Sequence, residues 1–124
     1  MTAVEDKQAI SENVTRYAYA VDFGEFDAFR SVLADDARAE FVMEALGRDN
    51  IDVDGADAIV ERMSSRAPAP MVPRHAMVNH LVALDGDRAR SRTYLANGTA
   101  LYDCDHVRTA RGWRIQRIEV RMFA

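Results

Sequence analysis

The N-terminal part of the chain carries hydrophobic residues at the spacing of an amphipathic helix. Between residues 6 and 23, apolar side chains recur every three or four positions, which predicts a helix with one buried face. The residues of this face are Ile10, Val14, Tyr17 and Val21. Gly24 follows at the position where a helix ends, because glycine readily adopts the left-handed conformation of a C-terminal cap.

The pattern then changes several times before the middle of the chain. Residues 25–33 predict a second, short helix, and residues 37–46 predict a strand. Residues 47–55 are rich in acidic and amide side chains and predict a loop. Residues 55–66 again show helical spacing and predict a third helix. Proline lacks an amide hydrogen, so we expect this helix to end before Pro68, Pro70 and Pro73.

The second half of the chain predicts a run of strands connected by tight turns. Asp85-Gly86 is a strong hairpin signal, and Asn97-Gly98 and Arg111-Gly112 mark two further turns. The four predicted strands cover residues 74–84, 88–97, 99–109 and 113–123. Three helices followed by antiparallel strands indicate an α+β fold. A curved sheet of this length would wrap around the helices and leave a hollow.

The closing strand leaves open which of its faces lies inside. Arg117, Glu119 and Arg121 alternate with Ile118, Val120 and Met122, whereas Trp113 and Ile115 have the opposite parity, which predicts a β-bulge between the two groups. If the charged row lines the pocket, the apolar row lies outside and needs cover. On that interpretation we expect a homodimer that buries the apolar row.

Composition limits the classes of partner. The 124 residues suffice for one ordinary domain, and 48% of them are hydrophobic, which is typical of a globular chain. The net charge of −4 disfavours nucleic acid as a partner. No apolar run is long enough to span a membrane, and residues 1–6 lack the features of a secretory signal. With one cysteine, Cys104, no internal disulfide is possible, and we expect a cytoplasmic protein.

Six segments resemble, in the correct order, the SnoaL-like proteins of the nuclear transport factor 2-like superfamily. They are RYAYAVD (residues 16–22), GEFDAF (24–29), LADDA (33–37), GADAI (55–59), RH with Asn79 (74–75) and RGWRI (111–115). The resemblance implies one domain over residues 1–124. It also implies a cone-shaped α+β barrel, with three N-terminal helices packed in the concave face of a curved, mainly antiparallel sheet. The superfamily includes dehydratases, isomerases and polyketide cyclases as well as non-enzymatic members, so fold alone does not assign a function.

The same resemblance implies a set of catalytic residues. The dehydratase branch places an aspartate near the end of the first helix and a histidine early in the strand after the third helix, and Asp22 and His75 occupy those positions. Tyr17 matches a tyrosine five residues before the aspartate, and Arg121 lies where that branch has a cationic residue. The chain departs from the scytalone dehydratase pattern in one respect. That pattern has a second histidine on a later strand, whereas this chain has Thr99 and Ala100 near the corresponding position.

An aspartate–histidine pair suits acid–base chemistry without a cofactor. A carboxylate bonded to one imidazole nitrogen fixes the tautomer and leaves the other nitrogen able to take a proton. Tyr17 would then serve as a hydrogen-bond donor and Arg121 as a source of positive charge. The structural alternatives are that Tyr17 is only a core residue and that Arg121 lies on a solvated strand face.

Three further residues are candidates for substrate binding. Asn79 and Met77 share strand parity with His75 and would line the same cavity. Asp103 shares a strand face with Asp105 and lies either in the pocket or in solvent. We expect no metal site, because His75 and His80 are five residues apart on a strand and would lie on opposite faces. Cys104 is interpreted as a packed small hydrophobe.

These observations favour a cofactor-independent dehydratase, another lyase or an isomerase that acts on a small hydrophobic metabolite. Two alternatives stay open. The first is a cyclase for polyketide-like or terpenoid intermediates that uses the same pocket and acid–base pair. The second is a non-enzymatic ligand-binding or dimerisation module.

Overall fold

The computed structural model describes residues 1–66 and 74–123. The helices are α1 (Ala3–Phe23), α2 (Phe26–Arg30) and α3 (Ala56–Arg66), and Glu44–Leu46 form one 3-10 turn. The strands are β1 (Leu33–Val42), β2 (Ile51–Asp54), β3 (Met77–Asp85), β4 (Arg88–Leu95), β5 (Ala100–Thr109) and β6 (Gly112–Met122). The predicted role of Pro68, Pro70 and Pro73 in ending α3 falls outside the described residues.

The six strands form a single sheet in the order β2-β1-β6-β5-β4-β3. Only β1 and β6 pair in parallel; every other neighbouring pair in this sheet is antiparallel. The three helices pack against one face of this curved sheet, which confirms the predicted α+β architecture. None of the helices in residues 1–66 and 74–123 is long and apolar enough to cross a membrane.

Both ends of helix α1 are capped by residues that are local in sequence. The Thr2 side chain accepts a hydrogen bond from the Glu5 amide, and the Glu5 side chain accepts one from the Thr2 amide, which forms a capping box. At the other end, Gly24 has φ of 74° and donates to the Ala20 carbonyl. The helix therefore starts at Ala3, three residues earlier than its hydrophobic stripe predicts.

The region between the second and third helices differs from the predictions. Helix α2 ends at Arg30, and β1 already begins at Leu33, so the predicted strand over residues 37–46 starts too late and ends too late. Residues 47–55, predicted as a loop, contain β2, which pairs antiparallel with β1. Ile51 and Val53 pack against the core, while Asp52 and Asp54, which alternate with them, are exposed. This period of two is visible in the sequence, but it is short and lies in a segment rich in polar residues.

The closing strand β6 contains the predicted bulge and settles which face lies inside. His106 pairs with Ile115 and Asp105 pairs with Arg117, so Gln116 is the extra residue. Trp113 and Ile115 before the bulge and Ile118 and Val120 after it are all buried. The apolar row thus faces the helices, and the argument that it lies outside and pairs between subunits is wrong. A homodimer stays a prediction, without that row to support it.

An ion pair with a buried aspartate ties the start of α1 to the β5–β6 hairpin. The Asp6 carboxylate accepts two hydrogen bonds from Arg108, at 3.0 and 3.1 Å, and one from the Trp113 indole at 2.9 Å. The Arg108 guanidinium also lies 4.5 Å from the centroid of the Trp113 ring. These hydrogen bonds from Arg108 and Trp113 hold the pKa of the Asp6 carboxyl below its usual value. The contacts fix the angle at which α1 crosses the sheet.

A second polar group lies within the core itself. His106 is fully buried on the inner face of β5, where its Nε2 shares a hydrogen bond of 2.8 Å with the Ser91 hydroxyl. Its Nδ1 is buried and has no hydrogen-bond partner among the described residues. Burial lowers the pKa of His106 from 6.5 to about 4, because the apolar surroundings disfavour the imidazolium. The side chain is therefore neutral in the folded protein at neutral pH.

This lowered pKa predicts that folding stability falls in mild acid. Between pH 6.5 and pH 4 the unfolded chain binds a proton at His106 while the folded protein does not. We expect a loss on the order of 3 kcal/mol over that interval from this residue. Urea unfolding at several pH values should show a shallower acid dependence for His106→Gln, whereas His80→Gln on the exposed edge strand should match the parent. Equal slopes for the parent and His106→Gln would contradict the prediction.

Candidate active site

Asp22 and His75 meet through two hydrogen bonds. Oδ1 of Asp22 lies 2.7 Å from the ring Nδ1 of His75, and Oδ2 of Asp22 accepts from the backbone amide of His75 at 2.8 Å. One carboxylate therefore holds both the ring and the backbone of the same residue. The Asp22 side chain is 5% exposed and the His75 side chain 20% exposed, so the pair is largely removed from solvent.

The position of Asp22 is electrostatically unusual. It lies in the last turn of α1, where the helix dipole disfavours a negative charge, and that turn contains no basic residue of its own. The compensation comes from the segment just before β3. His75 donates its amide to the carboxylate, and Arg74 donates to the Asp22 carbonyl oxygen at 3.2 Å. Residues 74 and 75, which are distant in sequence, thus supply hydrogen-bond donors to the C-terminal end of α1.

His75 faces a small cavity between the helices and the inner face of the sheet. The cavity has a volume of about 220 Å³. Its polar wall is formed by His75, Tyr17 and Tyr102, and its apolar wall by Val21, Phe41, Met43, Met63, Leu95, Ala100, Val120 and Met122. The volume lies below the roughly 300–1,000 Å³ of pockets for drug-sized ligands, so the cavity suits a small molecule.

Three rings form the polar wall of this cavity. The ring centroids of Tyr17 and His75 are 6.2 Å apart with planes at 85°, and those of Tyr17 and Tyr102 are 5.2 Å apart. Burial, and next to it the neighbouring Tyr17 side chain, raise the pKa of Tyr102 well above its usual value. Tyr17 stands between the Asp22–His75 pair and Tyr102.

Two predicted site residues lie on the opposite face of the sheet. Arg121 alternates with the cavity-lining Val120 and Met122, is exposed, and forms an ion pair of 3.2 Å with Glu119. Asp103 forms an ion pair of 2.9 Å with Arg92 on the same outer face. The predictions that Arg121 supplies charge to the pocket and that Asp103 binds substrate there do not fit this placement. The reason is the inward orientation of the apolar row of β6.

The parity argument for Asn79 and Met77 is also wrong, because His75 precedes β3 instead of lying in it. Asn79 has φ of 60° and sits in a β-bulge, where it and His80 together oppose one residue of β4, and its side chain is exposed. Met77 does not line the cavity. It borders a second depression, of about 360 Å³, which is also lined by Asp22 and His75. His75 therefore separates the cavity from the protein surface.

The other histidines do not contribute to the cavity wall. Ala100 stands near the position of the second histidine of the scytalone dehydratase pattern and lines the cavity with a methyl group. His80 lies at the bulge of β3, 3.3 Å from the Thr93 hydroxyl, and His106 is packed in the core. Within residues 1–66 and 74–123, no group of three histidine, cysteine, aspartate or glutamate side chains could hold a metal ion. Burial raises the pKa of Cys104 to about 12, which agrees with its interpretation as a packed residue.

Tyr102 lines the cavity but is not among the site residues that the sequence predicts. The sequence nevertheless contains the signal, because Asp103 and Asp105 share one face of their strand. Strict alternation then places Tyr102 and Cys104 on the other face. That face proves to be the inner one, since both residues are buried.

Comparison with known proteins agrees with this architecture. The SnoaL-like domain family matches residues 2–119. An uncharacterized protein of Mycobacterium tuberculosis is 30% identical over 135 residues, which covers 97% of this chain and 88% of the relative.

Two crystal structures from Novosphingobium aromaticivorans share the fold. One, provisionally named an aromatic ring hydroxylase, has 25% identity and a TM-score of 0.78, and the match covers 100% of this chain and 93% of that protein. The other, provisionally named a scytalone dehydratase, has 15% identity and a TM-score of 0.73, with 98% and 86% covered. At 15% identity the second likeness concerns the fold alone.

The double hydrogen bond to Asp22 predicts a fixed tautomer of His75. With a carboxylate at Nδ1, the ring carries its proton there, and Nε2 keeps its lone pair. In Asp22→Asn the amide group can instead donate to Nδ1, so we expect an increased fraction of the tautomer protonated at Nε2. Imidazole nitrogen chemical shifts measured by NMR in mildly alkaline buffer will report this change. Asp27→Asn, at an exposed position of α2, should leave the His75 signals unchanged, and a tautomer insensitive to Asp22→Asn would contradict the assignment.

Proposed function

The chain belongs to the SnoaL-like domain family, and on that premise we propose that it is a cofactor-independent acid–base enzyme, a dehydratase or other lyase or an isomerase. Its substrate would be a small, mostly hydrophobic metabolite bound in the cavity beside His75. The observation that carries the proposal is the Asp22–His75 pair, joined at 2.7 Å at the wall of an apolar cavity. Such a pair supplies both a base that can remove a proton from carbon and a carboxylate that orients this base.

His75 is the proposed general base. Its Nδ1 is engaged by Asp22, so Nε2 is the nitrogen that takes the proton. The carboxylate stabilises the imidazolium as it forms, much as it does in other carboxylate–histidine pairs. The backbone hydrogen bond from His75 to Asp22 keeps the ring from turning away, since the carboxylate holds the residue at two points.

The substrate needs an activated C–H bond next to this nitrogen. A carbonyl group beside that carbon would accept the negative charge as an enolate, and the Tyr17 hydroxyl is the proposed hydrogen-bond donor to it. In a dehydration, the electrons of the C–H bond become the new C=C bond while a β C–O bond breaks. The departing hydroxide takes up the proton held by the His75 imidazolium, so the products are an unsaturated compound and water and the neutral base is restored. In an isomerisation, the imidazolium returns the proton to another carbon.

The lining of the cavity supports a neutral substrate. No lysine, arginine, aspartate or glutamate is among the described residues that line it. A charged group transferred into such surroundings would lose its hydration without gaining a partner. Methionine side chains at three positions of the wall, Met43, Met63 and Met122, adapt readily to the shape of an apolar ligand.

Proton exchange at carbon tests the first chemical step of the proposed reaction. Neutral one- and two-ring ketones and β-hydroxy ketones would be incubated with the protein in D2O, with deuterium at the α-carbon followed by NMR and enone formation by absorbance. We expect catalysed exchange by the parent protein and a rate reduced roughly 100- to 10,000-fold by His75→Ala. His80→Ala, which changes a histidine outside the cavity, should retain the parent rate.

Combining the two changes tests whether the pair acts as a unit. Asp22→Asn should also lower the rate strongly, because it favours the wrong tautomer of the base. The double variant His75→Ala with Asp22→Asn should lose little more than the worse single variant, since residues that act together are not additive. A double loss equal to the product of the single losses would show independent action and refute the pair. Binding of the ketones with no exchange by the parent protein would favour a ligand-binding module instead.

A further inference from the structure

Two aromatic side chains near the end of α1 are exposed next to the Asp22–His75 pair. Tyr19 is 49% exposed and Phe23 is 60% exposed, and their ring centroids lie 6.1 Å apart with the planes at 26°. Single apolar side chains on a protein surface are common. These two rings, however, stack on each other and line the second depression, whose volume is about 360 Å³. The surface at this place is therefore both aromatic and concave.

Arg74 adds a positive charge to the depression. Its guanidinium carbon lies 4.9 Å from the centroid of the Phe23 ring, and its Nη1 donates to the Asp22 carbonyl oxygen at 3.2 Å. These two contacts orient the planar guanidinium. A guanidinium carries several N–H donors, and among the described residues only the Asp22 carbonyl accepts a hydrogen bond from Arg74. The remaining donors are open to a ligand.

The charge of Arg74 is not neutralised by an acidic side chain. Within residues 1–66 and 74–123, no aspartate or glutamate forms an ion pair with Arg74, and the sequence of residues 67–73 contains neither amino acid. Asp22 is the one acidic residue among the described residues that line the depression. Its side chain is 5% exposed and is bonded to His75. An anion is therefore the ligand that complements this surface.

The neighbouring charges on α1 do not change this conclusion. Glu12 and Arg16 line an adjoining hollow together with Thr15 and Tyr19. Because Glu12 and Arg16 carry opposite charges, the hollow adds no net charge next to the depression.

We propose that the depression is a binding site for a flat aromatic carboxylate. The ring of the ligand would lie against Tyr19 and Phe23, since aromatic rings favour offset-stacked and edge contacts with one another. Its carboxylate would accept hydrogen bonds from Arg74, whose planar fork matches the geometry of a carboxylate. The proposal does not depend on the proposed function, because it concerns a second ligand outside the cavity.

The cavity and the depression suit different ligands. No cationic arginine or lysine is among the described residues that line the cavity, whereas Arg74 lines the depression. A neutral molecule therefore suits the first and an anion suits the second. His75 lines both, so a ligand in the depression would lie next to the ring of the proposed base.

A titration with 2-naphthoate tests the site directly. Backbone amide chemical shifts of the full chain would be followed by NMR, and 2-naphthamide, a neutral molecule of the same shape, is the second probe. We expect 2-naphthoate to shift the signals of Tyr19, Phe23 and Ala76, which line the depression. Its Kd should rise with salt concentration, because salt screens an exposed ion pair. The naphthamide should bind more weakly and with little dependence on salt.

Variants separate the contribution of the charge from that of the rings. Arg74→Gln should weaken 2-naphthoate binding roughly two- to fivefold, the range of one partly exposed ion pair, and should abolish the preference over 2-naphthamide. Phe23→Leu should weaken the binding of both probes by roughly two- to tenfold, the range of one aromatic pair. The matched controls are Arg111→Gln in the β5–β6 turn and Tyr94→Leu on β4, both at exposed positions. Both controls should bind like the parent, and thermal unfolding checks the fold of each variant.

Several results would overturn the proposal. Equal affinity of the parent protein for 2-naphthoate and 2-naphthamide would show that the site does not recognise the charge. Unchanged binding of 2-naphthoate by Arg74→Gln would exclude Arg74 as its partner. Shifts confined to residues that line only the cavity, such as Phe41 and Val120, would place the ligand in the cavity instead.

A variant of the cavity separates this proposal from the proposed function. Ala100 lines the cavity and not the depression, so Ala100→Leu should fill part of the cavity and leave 2-naphthoate binding unchanged. Binding of 2-naphthoate without catalysed proton exchange of the ketones would refute the catalytic function and leave the anion site standing. Catalysed exchange without binding of 2-naphthoate would do the reverse.

Discussion

The Asp22 carboxylate holds His75 by its backbone and by its ring, and these two hydrogen bonds join parts of the chain 53 residues apart. They tie the C-terminal end of α1 to the segment that enters β3. The same contacts offset the unfavourable negative charge at the end of the helix, together with Arg74 on the Asp22 carbonyl. The interaction that closes the fold at this corner is thus also the one that orients the base. Its loss would alter both the entry to the sheet and the chemistry of the site.

The rest of the cavity depends on how α1 lies across the sheet. At its start the helix is fixed by the ion pair of Asp6 with Arg108 and by the Trp113 indole. At its end it is fixed by His75. Between these two anchors, Tyr17 faces the inner surface of β5 and meets Tyr102. Anchors at both ends of a long helix keep its middle at a set distance from the sheet, so a cavity remains beside Tyr17.

The two faces of the sheet differ sharply in chemistry. The inner face is apolar apart from a few satisfied or nearly satisfied polar groups, such as His106 with Ser91. The outer face carries alternating charges, in which Arg117 binds Asp105 and Glu119. The charged groups on the outside pair mainly with one another, and none of them is among the described residues that line the cavity. Because of this separation, a polar group of a ligand in the cavity would interact through hydrogen bonds with tyrosine and histidine side chains.

The sequence by itself determined the features that depend on local order. Helical spacing located all three helices, turn dipeptides located the hairpins, and the parity change in β6 located its bulge. The resemblance to SnoaL-like proteins singled out Asp22 and His75. A capping box and the alternation of Ile51 with Val53 were equally legible, and they correct the start of α1 and the loop assigned to β2.

Tertiary structure alone decided the questions that involve phase and distance. A strand pattern of period two marks two faces but does not say which is inside, because either row can be covered. Packing of the helices on one face of the sheet made the apolar row of β6 the inner one and so placed Arg121 and Asp103 outside. The meeting of Tyr17 with Tyr102 joins residues 85 positions apart on a helix and a strand. No local pattern encodes such a contact, since it arises only when long-range pairing fixes where the two elements cross.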